Sequence, residues 1–292
     1  MFKTIVLATD LSPASNALVD CVIGLKMLGV KKVFLTYAMG IRHLDDMKYI
    51  IASKVEPFLL GQKKKLTDQD LDADIELAPG IPAEEIQRVA EEKDASLIVI
   101  GSHGESMAEH TLFRFGRTVS EVLHSFTRPL LLVRTRIVKK GLETCVEASC
   151  SSYLENILYC TDFSDTAQRA YDYVEKMVED GCKKVTIMHV QDKTKIDKHL
   201  SYKLDEFNKI DTERIEMRRE RLLQKGASSV QMKIPYGNPT TEILNEVAAG
   251  NYSLIVMGSQ GRGFVNEIFL GSVSHNIVRN AGASVLLIPA IR

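Results

Sequence analysis

Three glycines and a serine make the densest chemical pattern in this chain. Gly258-Ser-Gln-Gly261 is followed, after nine residues, by Gly271-Ser272. An apolar run, Ser253-Leu-Ile-Val-Met257, precedes it and reads as a buried strand. Val273-Ser-His-Asn-Ile-Val278 follows and reads as the start of a helix. Strand, glycine loop and helix together make an anion site. Glycine lets backbone N–H groups approach phosphate with no Cβ in the way, and a helix N-terminus adds unpaired donors and the positive end of its dipole. Ser272 adds a hydroxyl. The competing reading is a set of tight turns. With glycine at ~7% of average sequence, the fixed spacing after a strand weighs against it.

A second chemical feature is Thr161-Asp162-Phe-Ser164, which follows another short apolar run. Asp162 is open to two roles, a ligand for Mg²⁺ bridging phosphates or a helix cap. Catalytic machinery is harder to find. The seven histidines are scattered and form neither HExxH nor H-x3-H. His275 lies near the glycine loop and reads as a half-exposed helix residue or as a phosphate contact. There is no G-x-S-x-G elbow and no GxxxxGK[ST] loop. Without a P-loop lysine or a base to position water, fast phosphoryl transfer has no visible means.

The elements that must position these residues occur twice. Phe2-Lys-Thr-Ile-Val-Leu-Ala-Thr9-Asp10-Leu-Ser12 matches Glu155-Asn-Ile-Leu-Tyr-Cys-Thr161-Asp162-Phe-Ser164, and Lys32–Ala38 matches Lys184–Val190. Gly80-Ile-Pro82 matches Gly237-Asn-Pro239, and Ser96–Gly104 matches Ser253–Gly261. A period this long is a duplicated domain, because solenoid units repeat every ~20–50 residues. We expect domains at 1–138 and 154–292, joined by a linker at 139–153. Short apolar strands alternate with helices at about Ser12–Leu28, Leu44–Thr67, Pro82–Glu92 and Val119–Phe126, and again from Ser164 through Val178, Ile196 to Gln224, Pro239–Ala249 and Val273–Arg279. That alternation implies α/β architecture: two tandem, doubly wound parallel sheets, each covered on both faces. Ligands bind such sheets at the carboxyl ends of the strands, where the winding reverses. If strands one and four of a half are neighbours, Asp162 lies across from the glycine loop.

Each half resembles a universal stress protein domain, and the chain resembles a tandem member of that family. The family's ATP-binding pattern, G-x2-G-x9-G-[S/T], is met by Gly258, Gly261, Gly271 and Ser272. The resemblance implies an adenine-nucleotide-hydrolase-like fold of five strands in the order 3-2-1-4-5. It also implies a bound ATP, ADP or AMP, with Mg²⁺ as an option. Adenine is expected against backbone groups near Cys160 and Val190, with Thr161 also among the cofactor-binding residues. Ribose and phosphates are expected near Asp162, Met257, Gly258, Gly261, Gly271, Ser272, Val273 and Ser274. In the first half Thr9, Asp10, Ala38, Gly101, Gly104, Gly116 and Thr118 are the weaker counterparts. There eleven residues separate Gly104 from Gly116, and Arg117 stands where Ser or Thr is required. The longer loop moves its N–H groups by several ångströms, and Glu105 and Glu109 would repel a triphosphate. Arg114 and Arg117 offer a charged clamp instead.

The expected function is an adenine-nucleotide-binding regulator of stress responses, with the nucleotide mainly in the second half. A slow ATP hydrolase and a nucleotide-independent scaffold are the alternatives. Net charge is −1, so no broad field draws the protein to nucleic acid. No apolar run reaches the ~18 residues that span a bilayer. The N-terminus reads as a first strand, not a signal peptide. We therefore expect a cytoplasmic protein that works with neither nucleic acid nor membrane. Its five cysteines are expected to be reduced, with Cys145 and Cys150 as a second option for a redox pair. The duplication further predicts an intrachain pseudo-dimer through Leu130–Val133 and Val285–Ile288, and allows a further homodimer.

Overall fold

The computed structural model describes residues 1–40, 45–102, 116–140, 143–148, 152–199, 201–261 and 270–290. Gly104, Glu105, Glu109, Arg114, His43, His103, His110 and Cys150 lie outside the described residues. The chain divides into two compact units, Met1–Ser151 and Ser152–Arg292.

The first unit runs β1 (Thr4–Ala8), α1 (Pro13–Val22), a 3-10 turn (Ile23–Leu28), β2 (Lys32–Ala38), α2 (Asp45–Thr67), β3 (Asp72–Ala78), α3 (Pro82–Glu92), β4 (Leu97–Gly101), α4 (Arg117–Ser125) and β5 (Leu130–Val133). An antiparallel hairpin of β6 (Thr135–Lys140) and β7 (Glu143–Ala148) follows and lies against α1. Much of the stretch read as linker is thus paired strand. Cys21 on α1 is disulfide-bonded, which corrects the expectation of reduced cysteines, while Cys160 and Cys182 are free.

The second unit repeats the order. It runs β8 (Ile157–Cys160), α5 (Asp165–Glu179), β9 (Lys184–Met188), β10 (Gln191–Asp192), α6 (Lys193–His199), α7 (Leu204–Gln224), β11 (Ser229–Lys233), β12 (Tyr236–Gly237), α8 (Pro239–Ala249), β13 (Leu254–Gly258), α9 (Ser272–Asn280) and β14 (Ser284–Ile288). The single long helix expected from Ile196 to Gln224 is two helices with a 3-10 turn, Ser201–Lys203, before the second. The first starts early because Asp192 caps it, with Oδ1 accepting from the Thr194 N–H at 3.0 Å. The buried face of α7 is Asp211, Ile215 and Leu222, whereas the apolar Ile210 is exposed.

Within each unit the sheet is parallel throughout. β1 pairs with β2 and β4, β2 with β3, and β4 with β5. β8 pairs with β9 and β13, β9 with β11, and β13 with β14. Both units therefore have the order 3-2-1-4-5. Strands β4, β8, β13 and β14 are buried at every residue, as helices on both faces require. Sequence turns back between strands one and four, so the first and fourth strand ends open side by side.

Candidate functional site

Parallel register sets Cys160, the last residue of β8, beside Met257 of β13. The loops that leave these strands are tied together. Thr166 Oγ1 donates to the Gln260 carbonyl at 2.6 Å. Gly258 is held so close to α5 that a Cβ there would lie 2.9 Å from Thr166 Cβ and 3.0 Å from its carbonyl carbon. No larger residue fits while the helix start stays in place.

The first loop is shaped by its own side chains. Asp162 Oδ1 accepts from the Ser164 N–H at 3.0 Å and the Ser164 hydroxyl at 2.6 Å. Thr161 Oγ1 accepts from the Phe163 N–H at 3.0 Å. These bonds hold Phe163 at φ 60°, a left-handed conformation that is an outlier for a bulky residue. Leu11 occupies the matching position in the first unit at φ 63°. Ser164 in turn caps α5, its Oγ accepting from the Ala167 N–H. Asp162 thus does not cap the helix itself but braces the capping Ser164 through one oxygen. Its other oxygen, Oδ2, lies 2.5 Å from where a Cβ on Gly261 would stand. The carboxylate faces the glycine loop, as expected if strands one and four are neighbours.

The far end of that loop returns to the same place. The Gly271 N–H donates to the Ser259 carbonyl at 2.8 Å. A Cβ on Gly271 would lie 3.3 Å from that oxygen and 3.7 Å from Gly261 N. Gly271 is also the N-cap of α9, and no side chain caps this helix. The amides of Ser272, Val273 and Ser274 thus open its first turn, with the Ser272 side chain exposed and Val273 half-buried. The Ser274 side chain is buried. Its buried hydroxyl donates to the Gly258 carbonyl at 2.9 Å and ties α9 to the end of β13.

On the other side of β8, the Thr161 N–H donates to Met188 O at 2.9 Å. The N–H groups of His189 and Gln191 bond the carbonyls of Lys233 and Pro235, and Val190 lies half-buried between them. His189 had no assigned role in the sequence reading. Its Nδ1 lies 2.8 Å from the Thr161 carbonyl, and its Nε2 lies 3.4 Å from Asp211 Oδ2, an oxygen that also accepts from Gln191 Nε2. The ring packs on Phe163, whose other neighbours are the guanidinium groups of Arg214 and Arg218. A Thr-Asp-x-Ser motif in both halves was the sequence signal for the left-handed loop. The α7 residues Asp211, Arg214 and Arg218 gave no comparable signal. Burial pushes the Cys160 thiol up to about 12, so it is a neutral apolar wall at neutral pH.

The first unit builds the same loop with different fastenings. Asp10 Oδ1 accepts from the Ser12 N–H at 3.1 Å and also from the Ser15 hydroxyl. Thr9 Oγ1 donates to Gln62, which reaches in from α2 and in turn donates to Asn16. Ala38 and Gly101 end their strands, and Gly116 starts α4, again with no side-chain cap. Thr118 is half-buried on that helix. Arg117 lies on the helix surface, hydrogen-bonded to Glu121 at 2.8 Å.

The universal stress protein family matches residues 1–134 and 154–289. A universal stress protein of Methanocaldococcus jannaschii is 30% identical over 153 residues, which are 46% of this chain and 94% of that protein. Another from Bacillus subtilis is 28% identical over 146 residues, 45% of this chain and 97% of that protein. The crystal structure of a universal stress protein from Archaeoglobus fulgidus aligns with a TM-score of 0.76 at 24% identity, covering 98% of each chain. That last likeness establishes the tandem fold.

Proposed function

The chain belongs to the universal stress protein family, with one copy of the family's domain in each half, and from that premise we propose that it is an adenine-nucleotide-binding regulatory protein whose nucleotide is held chiefly by the second half. The observation that carries this reading is the approach of Gly261 to the Asp162 carboxylate, 2.5 Å from a Cβ position, beside the uncapped start of α9. A backbone this close to a carboxylate has room for a ligand only because residue 261 has no side chain. The N–H groups of Ser272, Val273 and Ser274 suit phosphate. Asp162 suits a ribose or, with phosphate oxygens completing the shell, Mg²⁺, whose contribution would be to neutralise phosphate charge. Among the described residues no group of three His, Cys, Asp or Glu could hold a metal without such oxygens. The main chain at Thr161 and Val190 is assigned to adenine.

Mass spectrometry of nucleotide released on denaturation, together with calorimetric titration of ATP, ADP and AMP, tests the reading. Gly261→Val is expected to weaken binding at least tenfold, and Gly104→Val to have a much smaller effect. Equal losses would remove the asymmetry between the halves, and no binding by the wild type would favour the scaffold reading. Turnover is expected well below the ~10 s⁻¹ typical of enzymes. An ATPase near that rate that vanishes in Gly261→Val would replace the regulator with an enzyme.

We also infer that the halves form an intrachain pseudo-dimer through β5 and β14, in a protein that works in the cytoplasm. A self-complementary interface encoded twice can close within one chain. Within its own unit each of these apolar strands pairs on one side only. Cross-linking with mass spectrometry should link the two strands in monomeric protein. Links found only in a dimer fraction would sink the idea.

A further inference from the structure

The duplication supplies an internal control for a second cavity. It lies in the second unit, measures about 270 Å³, and is walled by β9, β11 and the end of α8. Lys184 and Ser229, the first residues of their strands, lie directly opposite each other in its wall, and both are exposed. The glycine loop leaves the other end of the parallel sheet, so the two places are separate.

Register maps this cavity onto the first unit. Lys32, Phe34 and Thr36 pair with Asp72, Asp74 and Glu76. Lys184, Thr186 and Met188 pair with Ser229, Gln231 and Lys233. In the first unit the Lys32 ammonium is held by Asp72 at 3.1 Å and Asp74 at 3.0 Å, and the Phe34 ring lies beneath it. The second unit keeps the lysine and replaces both carboxylates with a hydroxyl and an amide. It also replaces the phenyl ring with Thr186. Among the described residues Lys184 makes no ion pair, and it looks across at two neutral hydrogen-bonding side chains.

The remaining charges in the wall are already matched. Lys233 bonds Glu246 Oε2 at 2.6 Å, and Glu246 Oε1 accepts from the Tyr252 hydroxyl, which also reaches Thr186 at 3.1 Å. Gly250 makes room for that phenol, since a Cβ there would meet the ring. The wall therefore carries one more cation than anion, and that cation is Lys184.

We propose that this cavity is a binding site for a small carboxylic acid, whose carboxylate takes the place beside Lys184 that Asp72 and Asp74 take beside Lys32. Ser229 and Gln231 donate to the same carboxylate, and the Tyr252 ring, hydrogen-bonded to Thr186, lines the same cavity. The site is independent of nucleotide binding.

Sodium succinate is the probe, titrated by calorimetry and by amide NMR against sodium phosphate and sodium chloride at matched ionic strength. Saturable succinate binding is expected, with shifts centred on Lys184, Gln231 and Tyr252. Lys184→Gln and Gln231→Asp should each weaken it at least tenfold. Gln231→Asp is the sharper variant, because it places a carboxylate opposite Thr186 as Asp74 stands opposite Phe34, at an exposed position. Retention of the melting midpoint establishes that each variant is folded. Absence of saturable binding, wild-type affinity in Gln231→Asp, or phosphate bound as tightly as succinate would each overturn the proposal.

Discussion

Two close approaches decide what residues the loops can carry. Gly258 abuts the start of α5 and Gly261 abuts Asp162. A side chain at the first forces backbone apart, and at the second it pushes aside a carboxylate anchored by Ser164. The left-handed residues Phe163 and Leu11 show the same economy in the peptide itself, with side-chain bonds holding a conformation that costs ~1–2 kcal/mol for an ordinary residue. Asn accepts that conformation more readily. Leu11→Asn is therefore expected to hold or raise stability, by up to ~1 kcal/mol, in urea melts. A clear loss would mean that Leu11 packing outweighs the backbone term. Thiol chemistry gives a second residue-level expectation. Burial raises Cys160 to about 12 and Cys182 to about 11. Neither should react with iodoacetamide at pH 8 in the folded protein, and both should react once it is unfolded, as peptide mapping would read.

At the level of elements, helix starts differ in their caps. Ser12, Ser164 and Asn238 cap α1, α5 and α8 through their side chains, whereas α4 and α9, which follow the glycine loops, start at glycine with no such cap. Helices α3 and α7 also lack a side-chain cap. Ser164→Ala should cost ~1 kcal/mol in denaturant melts, and it should also weaken nucleotide binding because Asp162 loses its hydroxyl donor and keeps only the backbone N–H of residue 164. Cys21 on α1 is held in a disulfide. Reduction, or Cys21→Ala, is expected to remove ~2–4 kcal/mol of stability, visible as a lower midpoint in the presence of dithiothreitol. Strand β11 and helix α8 are joined by the Lys233–Glu246 pair. Burial alone would raise the Glu246 carboxyl, but hydrogen bonds from Lys233 and Tyr252 outweigh it and hold the group below its ordinary value. A depressed carboxyl stabilises the fold above its unfolded value of ~4.3. That contribution is lost as pH falls through the lower folded value. Glu246→Gln should flatten this part of the acid-unfolding profile and leave the neutral-to-alkaline part unchanged.

Across the whole molecule, one ancestral plan carries two different fillings. The first unit closes its strand-one corner with Ser15, Gln62 and Asn16, and fills its outer face with Phe34. The second leaves Asp162 Oδ2 toward Gly261 and opens the cavity beside Lys184. Titration should accordingly return about one nucleotide per chain. Two equivalent sites would show that the longer loop of the first half binds as well as the shorter one.

Much of this was written in local pattern. Alternating apolar runs and helical periodicity identified the five strands of each parallel sheet and most helices, because burying such a sheet on both faces demands them, but not the β6–β7 hairpin or the two-residue β10 and β12. The repeat and the G-x2-G-x9-G-S spacing named the family and the loop, because glycine spacing acts over a few residues of backbone. The break before α7 and the exposure of Ile210 escaped periodicity, which counts apolar positions without knowing which face the sheet will cover. Asp211 on the buried side of that helix escaped for the same reason. Contacts between residues distant in the chain belong to tertiary structure alone: Gly261 against Asp162, Thr166 on Gln260, His189 between Thr161 and Asp211. The unmatched Lys184 is of this kind too. It reads as one more surface lysine until strand register places Ser229 and Gln231, not two aspartates, across from its strand.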